Sequence, residues 1–227
     1  MVLKKMFLLL RGVRAIQLQA FLIGMLTVFS VSASLEISDD LLSKIYNKYG
    51  KSASSRITQW QKLMLSAKGL SDQEKLKKVN DFFNQRIRFV DDLYLWNVRD
   101  YWATPLEFLS RGEGDCEDYS IAKYFTLKEM GISEKKMRIT YVKALRLNQA
   151  HMVLTYYSSP RAVPVVLDNL IPDIKPANKR TDLLPVYSFN GSGLWLAKSK
   201  GSGKRVGEAS RLNLWSELKQ RMTNNKF

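Results

Sequence analysis

The stretch Gly-Glu-Gly-Asp-Cys-Glu-Asp-Tyr (112–119) contains Cys116, the chain's only cysteine, at a predicted loop-to-helix junction. Apolar residues at helical spacing continue from there to Met130, and Gly131 marks the end of the helix. Unpaired backbone N–H groups and the helix dipole at such a position stabilise a thiolate and lower its pKa. They also bind the oxyanion that forms when a thiolate attacks a carbonyl. The stretch therefore predicts a reactive thiol at the start of a helix.

The residues before this helix have the apolar spacing of further helices. Two of these helices begin with a capping box, Ser71 with Glu74 and Thr104 with Glu107. Proline after Thr104 strengthens the second signal, since it is favoured at the first helical position. The pattern predicts helices at 36–49, 53–67, 71–87 and 105–110.

After Gly131 the pattern changes to short β-branched or aromatic runs between turn residues. A basic, loose tail is expected from Lys198, before a final helix at 208–222. Helices followed by an antiparallel sheet predict the α+β class, with the helix of Cys116 packed on the sheet. The predicted strands are 137–144, 152–157, 163–167, 185–189 and 194–197.

The chain's only histidine, His151, opens the apolar stretch 151–157, directly before the predicted strand 152–157. A hairpin through residues 158–161 would place His151 near Asp168 on one face, with Asn169 on the other unless a bulge intervenes. A nucleophilic thiol needs a base, and that base needs an acceptor to fix its tautomer. Cys116, His151 and Asp168 are therefore the predicted catalytic residues. The alternatives are an ordinary hydrogen-bonded histidine and a turn or cap aspartate.

Three carboxylates, Asp115, Glu117 and Asp118, flank the cysteine. Their like charge should raise the pKa of the thiol and oppose its activation. In one interpretation Asp115 is the N-cap, Asp118 completes a capping box and Glu117 complements the helix dipole. In the other, the cluster binds a hard cation, with Ca²⁺ favoured, and the cation reverses the local electrostatics. The spacing leaves both interpretations open.

The N-terminus carries a predicted export signal. Lys4, Lys5, Arg11 and Arg14 precede an uncharged apolar run at 20–31, and a small-x-small pattern ends at Ala33. The run is shorter than the ~20 residues of a spanning helix, although an uncleaved membrane anchor is the alternative. We expect residues 1–33 to be a signal peptide and residues 34–227 a single periplasmic domain with no stable membrane insertion after cleavage.

Charge and cysteine usage narrow the function further. Residues 1–33 hold four basic and no acidic side chains, so the net charge of the remainder is +11 instead of +15. That charge would attract acidic partners or simply solvate helix faces, and the absence of a reader motif argues against nucleic acid. Export implies an oxidising compartment, where a solitary cysteine cannot form an internal disulfide. Carboxylates and glycines around Cys116 favour a reactive thiol over an inert one.

Several motifs in order give a specific resemblance over roughly residues 70–220. The chain resembles the bacterial transglutaminase-like cysteine proteinases, in particular the periplasmic proteases of biofilm adhesins. The matching motifs are Tyr-Trp-Ala-Thr-Pro-Leu-Glu-Phe-Leu (101–109), Gly-Asp-Cys-Glu-Asp-Tyr (114–119), Ala-His-Met-Val-Leu (150–154), Val-Leu-Asp-Asn (166–169) and Tyr-Ser-Phe-Asn (187–190).

The resemblance implies a papain-like fold of the transglutaminase branch, with the triad as above. It also implies that Asp115, Glu117 and Asp118 are linked to Ca²⁺ dependence. The substrate would be a large surface adhesin, cut near its N-terminus at a paired-alanine site so that biofilm disperses. A membrane-bound cyclic-di-GMP receptor of the LapD type would sequester the protease. Trp102 matches a family tryptophan, for which core packing is the alternative role.

Two other functions are compatible with this fold. A true transglutaminase would pass the acyl group to an amine instead of water. A non-catalytic binding module would have lost its triad, and the presence of all three candidate residues argues against this reading.

Overall fold

Capping side chains fix the starts of the N-terminal helices. The computed structural model describes residues 37–197 and 203–224. Ser71 and Thr104 both form the predicted capping boxes, and Pro105 occupies the first turn of its helix. Gly112 ends that helix with a φ of 73°, a left-handed conformation that glycine adopts without strain. The helices before the cysteine are α1 Asp39–Tyr49, α2 Lys51–Leu65, α3 Asp72–Arg86, α4 Asp92–Trp96 and α5 Pro105–Arg111.

A two-stranded parallel ribbon leads the chain into the cysteine helix. Strand β1 (Arg88–Phe89) pairs with β2 (Glu113–Gly114), and helix α6 (Cys116–Glu129) begins two residues later. A Cβ atom at Gly114 would lie 2.4 Å from Asp118 Oδ2 and 2.6 Å from the Phe108 ring. Glycine is therefore required here by close packing, and the ribbon holds the N-terminus of α6 in place.

The second half of the described chain is an antiparallel sheet of seven strands in the order β6-β5-β4-β3-β7-β8-β9. Strand β4 lies inside it, with His151 opposite Val142 of β3 and Leu154 opposite Leu167 of β5. The strands are β3 Met137–Ala144, β4 Gln149–Tyr156, β5 Val165–Leu167, β6 Lys175–Pro176, β7 Leu183–Phe189, β8 Leu194–Leu196 and β9 Lys204–Gly207.

Helix α6 packs on β4 and β3 and contacts α3 on its other side. Its residues Ile121, Tyr124 and Leu127 are fully buried, together with Phe189 of the sheet and Trp215 of the last helix, α7 (Asn213–Thr223). Burial of apolar area of this kind is the main favourable contribution to folding. The α+β arrangement predicted from the sequence, with the cysteine helix on an antiparallel sheet, is confirmed.

Several details differ from the sequence expectations, and the short strands β1, β2 and β6 were not predicted. The tail expected to be loose contains β9, which pairs with β8 through Trp195 and Arg205. Lys-Arg-Val-Gly has almost no strand pattern, so the exposed edge of β8 decides its conformation. The last helix begins at Asn213, later than predicted, after a 3-10 turn at Ala209–Arg211. Helix α4 was not predicted because it is a single short turn.

The predicted signal peptide at 1–33 lies outside the described residues. Those that are described belong to one unit, Leu35–Phe227. Among them, no helix has the length and apolar content that crossing a membrane requires. The boundary at residue 33 stays a prediction.

Candidate active site

Cys116 is the first residue of α6 and is partly exposed. Its thiol donates a hydrogen bond to Glu117 Oε2 at 3.0 Å. The backbone N–H of Met152, the residue after His151, points toward the same sulfur and favours its anion. The sulfur therefore lies between the start of α6 and the strand that carries the histidine.

The structure brings His151 and Asp168 together. His151 lies on β4, and Asp168 follows the end of the neighbouring strand β5, so one hairpin supplies both. His151 Nε2 lies 2.8 Å from Asp168 Oδ1, and both side chains are buried. Because Nε2 is engaged by the carboxylate, Nδ1 is the ring nitrogen left to exchange a proton with a thiol. The catalytic roles of these residues stay a prediction.

Asp168 is held by more than the histidine. Its Oδ1 accepts the Leu170 backbone N–H at 3.0 Å, and its Oδ2 accepts Arg180 Nη2 at 2.7 Å. Burial alone would raise the pKa of this carboxyl, but the hydrogen bonds from His151, Leu170 and Arg180 outweigh it and lower the pKa to about 2. The carboxylate is therefore ionised at any physiological pH.

Arg180 was not anticipated from the sequence. It is 2% exposed and also pairs with Asp182, whose two carboxylate oxygens lie 3.0 Å from Nε and 2.8 Å from Nη2. A buried guanidinium needs such partners, since an unpaired charge away from water is costly. Nothing in the local sequence distinguishes Arg180 from the chain's many other basic residues.

The acidic residues around the cysteine form a cluster that is buried apart from Asp100, which is exposed. Asp92, Asp115 and Asp118 each place one carboxylate oxygen within 4.8 Å of the others. Asp92 also meets Asp100 and Glu117 in the same way. The predicted residues Asp115, Glu117 and Asp118 are thus brought together, and Asp92 and Asp100 join them from α4 and the loop after it.

The local sequence does not mark Asp92 or Asp100 as members of this cluster. An acidic residue in front of Leu93 and Leu95 has the pattern of a helix start, and Asp92 does lie in the first turn of α4. Its burial, 1% exposed, is what separates it from an ordinary helix-start aspartate. That burial comes from tertiary packing and leaves no mark in the local pattern.

Part of the capping interpretation also holds. The Asp115 backbone N–H donates to Asp118 Oδ2 at 3.3 Å, and Asp118 Oδ1 accepts the Ala103 N–H at 2.8 Å. Asp118 is therefore a fully buried carboxylate that ties the loop before α5 to the start of α6. Each Asp118 oxygen accepts one backbone N–H and has a second lone pair, so capping and cation binding are compatible.

Without a cation, the charged forms of the carboxylates in this cluster are disfavoured. Burial raises the pKa of Asp92 to about 6, and burial together with the neighbouring carboxylates raises the pKa values of Asp115 and Asp118 well above their usual range. Asp92 Oδ1 and Asp115 Oδ1 are buried without a hydrogen-bond partner among the residues that the structure describes. Oxygens this close, with lone pairs unused, match the ligand set of a hard cation such as Ca²⁺.

The same charges act on the thiol. Burial and the carboxylates of Glu117 and Asp115 raise the pKa of Cys116 well above its ordinary value. The expectation that a helix start lowers this pKa is therefore wrong for the metal-free protein. Like-charge repulsion and desolvation outweigh the helix dipole and the Met152 N–H.

Trp102 is 5% exposed and stacks on Phe189, with ring centroids 5.4 Å apart. Its carbonyl accepts a hydrogen bond from Arg221 of α7. The residue joins the loop before α5 to the sheet and to the last helix. Its role in the described structure is core packing.

Comparison with known proteins identifies the class. The sequence profile of the bacterial transglutaminase-like cysteine proteinases matches residues 46–195. The chain belongs to this family and is a cysteine protease with a transglutaminase-like fold. It is similar to LapG of Legionella pneumophila, with which it shares 43% sequence identity. No curated protein gives a significant match.

Two solved structures of Legionella LapG show the extent of the similarity. The calcium-bound structure superposes with a TM-score of 0.69 and covers 81% of this chain and 98% of its own. The EGTA-treated structure gives a TM-score of 0.71 and covers 81% of this chain and 96% of its own. The likeness extends over nearly the whole of the solved protein.

Proposed function

We propose that this chain is a calcium-dependent cysteine endopeptidase in which Cys116 is the nucleophile, His151 the base and Asp168 the residue that orients the base. The observation that carries the proposal is the 2.8 Å contact between His151 Nε2 and Asp168 Oδ1, which leaves Nδ1 for the thiol. A base held in one tautomer beside a nucleophile at a helix start is the arrangement that acyl transfer requires.

The reaction follows from these roles. His151 removes the thiol proton, and the Cys116 sulfur attacks the scissile carbonyl carbon. Backbone N–H groups at the start of α6 stabilise the oxyanion. His151 then protonates the leaving amine as the C–N bond breaks, and a water deprotonated by the same imidazole releases the acyl group from sulfur. Asp168, ionised and hydrogen-bonded, stabilises the imidazolium in both halves.

Calcium is proposed for the acidic cluster, with Asp115, Glu117 and Asp118 as ligands and Asp92 and Asp100 completing the set. Support comes from the unpartnered buried oxygens of Asp92 and Asp115 and from the calcium-bound structure of Legionella LapG. When bound, the ion supplies positive charge that offsets the carboxylates next to the thiol. With the ion bound, these carboxylate ligands would hold the N-terminus of α6 in one position.

The substrate, location and regulation are proposed from the family resemblance. The substrate is the N-terminal region of a large repeat adhesin with a paired-alanine site, cut in the periplasm to release the adhesin and disperse biofilm. Export is supported by the predicted signal at 1–33. Inhibition is proposed through sequestration on the periplasmic domain of an inner-membrane, LapD-like cyclic-di-GMP receptor.

The test is to incubate the purified protein with adhesin N-terminal fragments, in Ca²⁺ or in excess EGTA, and to read the products by mass spectrometry. One defined cut at paired alanines in Ca²⁺, absent in EGTA, supports the proposal. Full cleavage by protein verified to be metal-free would contradict the proposed calcium dependence. Incorporation of a labelled amine into a glutamine-bearing acceptor, in place of cleavage, would identify a transglutaminase.

A further inference from the structure

A buried polar cluster lies under the loop that carries Asp168. Lys123 of α6 is 1% exposed, and its Nζ donates to Asn80 Oδ1 at 2.9 Å, to Asn84 Oδ1 at 2.8 Å and to the Asp168 backbone carbonyl at 3.1 Å. Three acceptors at hydrogen-bond distance match the three N–H groups of an ammonium. Burial lowers the pKa of Lys123 to about 7, and the carboxylates of Asp168 and Asp81 offset part of that effect by favouring the protonated form.

The two asparagines connect Lys123 to the loop through their amide groups. Asn80 and Asn84 lie one turn apart on α3, so both amides face the same side of the helix. Asn84 Nδ2 donates to the Asp168 carbonyl at 2.8 Å, and Asn80 Nδ2 donates to the Pro172 carbonyl at 2.7 Å. Lys123 binds both amide oxygens, and this fixes which end of each amide faces the loop.

We infer that Asn80, Asn84 and Lys123 form a clamp of positioning residues that sets the place of Asp168, and through it the orientation of His151. The clamp holds segment 168–172 at both ends by its backbone. The Asp168 carboxylate is thereby left free for His151, Leu170 and Arg180. This inference rests on the proposed role of Asp168.

The geometry favours positioning over simple core stabilisation. A buried lysine is a costly way to fill space, because an apolar side chain would avoid the desolvation penalty. Here polar side chains of α3 and α6 bind the backbone of Asp168, the residue that follows strand β5. Misplacing a catalytic group by about 1 Å can cost 100-fold in rate, so a fixed loop has a direct benefit.

The test measures the alkylation rate of Cys116 by iodoacetamide in Ca²⁺, which needs no identified substrate and reports one thiol because the chain has one cysteine. Asn84→Ala breaks the clamp without changing charge, and Asn84→Leu does so without leaving a cavity if the alanine variant fails to fold. Thr126→Val is the matched control. Thr126 is buried on the same helix as Lys123 and binds Trp60, away from Asp168.

We expect Asn84→Ala to slow alkylation about 10- to 100-fold and Thr126→Val to leave the rate within about twofold. In an Asp168→Asn background, Asn84→Ala should add nothing, since the clamp acts through that carboxylate. An unchanged rate in Asn84→Ala beside a slow Asp168→Asn would overturn the clamp alone. An equal loss in both backgrounds would show a merely structural role. An unaffected Asp168→Asn would instead overturn the proposed function of Asp168.

Discussion

His151 Nε2 and Asp168 Oδ1 lie 2.8 Å apart, although 17 positions separate the two residues in the sequence. The β4–β5 hairpin makes this contact possible, because Asp168 follows Leu167, which pairs with Leu154. The contact assigns Nε2 to the carboxylate, and in the proposed mechanism Nδ1 exchanges a proton with the thiol. The account of catalysis depends on that division of roles.

Asp168→Asn should therefore retain the fold and lose most activity. An amide can donate where the carboxylate accepts, so the imidazole loses the acceptor that fixes its tautomer. We expect a drop in kcat of about 10³- to 10⁴-fold, measured on a cleaved adhesin fragment, with ring 15N chemical shifts reporting the tautomer of the single histidine. Asn169→Ala is the neighbouring control. If it, and not Asp168→Asn, abolished turnover, Asn169 would be the orienting residue.

Arg180→Met should destabilise the protein as well as slow it. The substitution leaves the Asp168 charge buried without its guanidinium partner, a situation that costs about 3–5 kcal/mol in the free energy of unfolding. Chemical denaturation measures the loss. Asp182→Asn is the control, since it keeps the Arg180–Asp168 pair and changes a more exposed group. Equal stability of wild type and Arg180→Met would show that the pair does not matter.

Acid should weaken the fold through Asp168. Its folded-state pKa, about 2, lies below the ordinary value of 3.8. The hydrogen-bonded carboxylate therefore contributes stability above about pH 4, and this contribution is lost as the pH falls toward 2. The difference corresponds to roughly 2 kcal/mol. Between pH 5 and 2.5 the free energy of unfolding, measured in urea, should fall further for the wild type than for Asp168→Asn, by most of that amount; equal falls would contradict the prediction.

The acidic cluster should respond to pH in the opposite sense. Asp92 has a pKa raised to about 6, so the metal-free protein loses stability as the pH rises from 4 through 6. Bound Ca²⁺ removes this penalty by favouring the charged carboxylates. The melting temperature should thus rise on acidification from pH 7 to 5.5 without Ca²⁺, and the gain from added Ca²⁺ should be larger at pH 7. A calcium effect independent of pH would argue against this cluster as the site.

Calcium should also activate the thiol. Burial, Glu117 and Asp115 raise the pKa of Cys116 in the metal-free protein, so little thiolate is present at pH 7. A cation among these carboxylates reduces the repulsion. Alkylation of the single cysteine, followed as a mass shift, should be faster in Ca²⁺ than in EGTA. Glu117→Gln should narrow that difference, and an identical rate in both buffers for the wild type would refute the coupling.

The sequence predicted those features that rest on local signals. The capping boxes at Ser71 and Thr104 placed two helix starts, and alternation placed β3 at Met137–Ala144. The predicted hairpin placed His151 near Asp168, and the motif around the single cysteine predicted the start of α6. Each of these depends on neighbours in the chain or on one turn.

The features that escaped prediction are set by contacts distant in sequence. Arg180, Lys123 and Asp92 are charged residues that only burial distinguishes, and burial is decided by elements far along the chain. Strand β9 forms because β8 offers an open edge. The effect of Glu117 and Asp115 on the pKa of Cys116 was predicted from the sequence, but desolvation, the largest cause of the raised pKa, follows from packing. A pattern of residue types along the chain carries none of this information.

The most direct test of the central claim is cleavage of an adhesin N-terminal fragment, in Ca²⁺, by wild type, Cys116→Ala and His151→Ala, each verified as folded by circular dichroism. The account predicts one defined cut by the wild type and none above background by either variant. Near-normal turnover by either variant would contradict the assignment of the sulfur and the imidazole as the reacting groups.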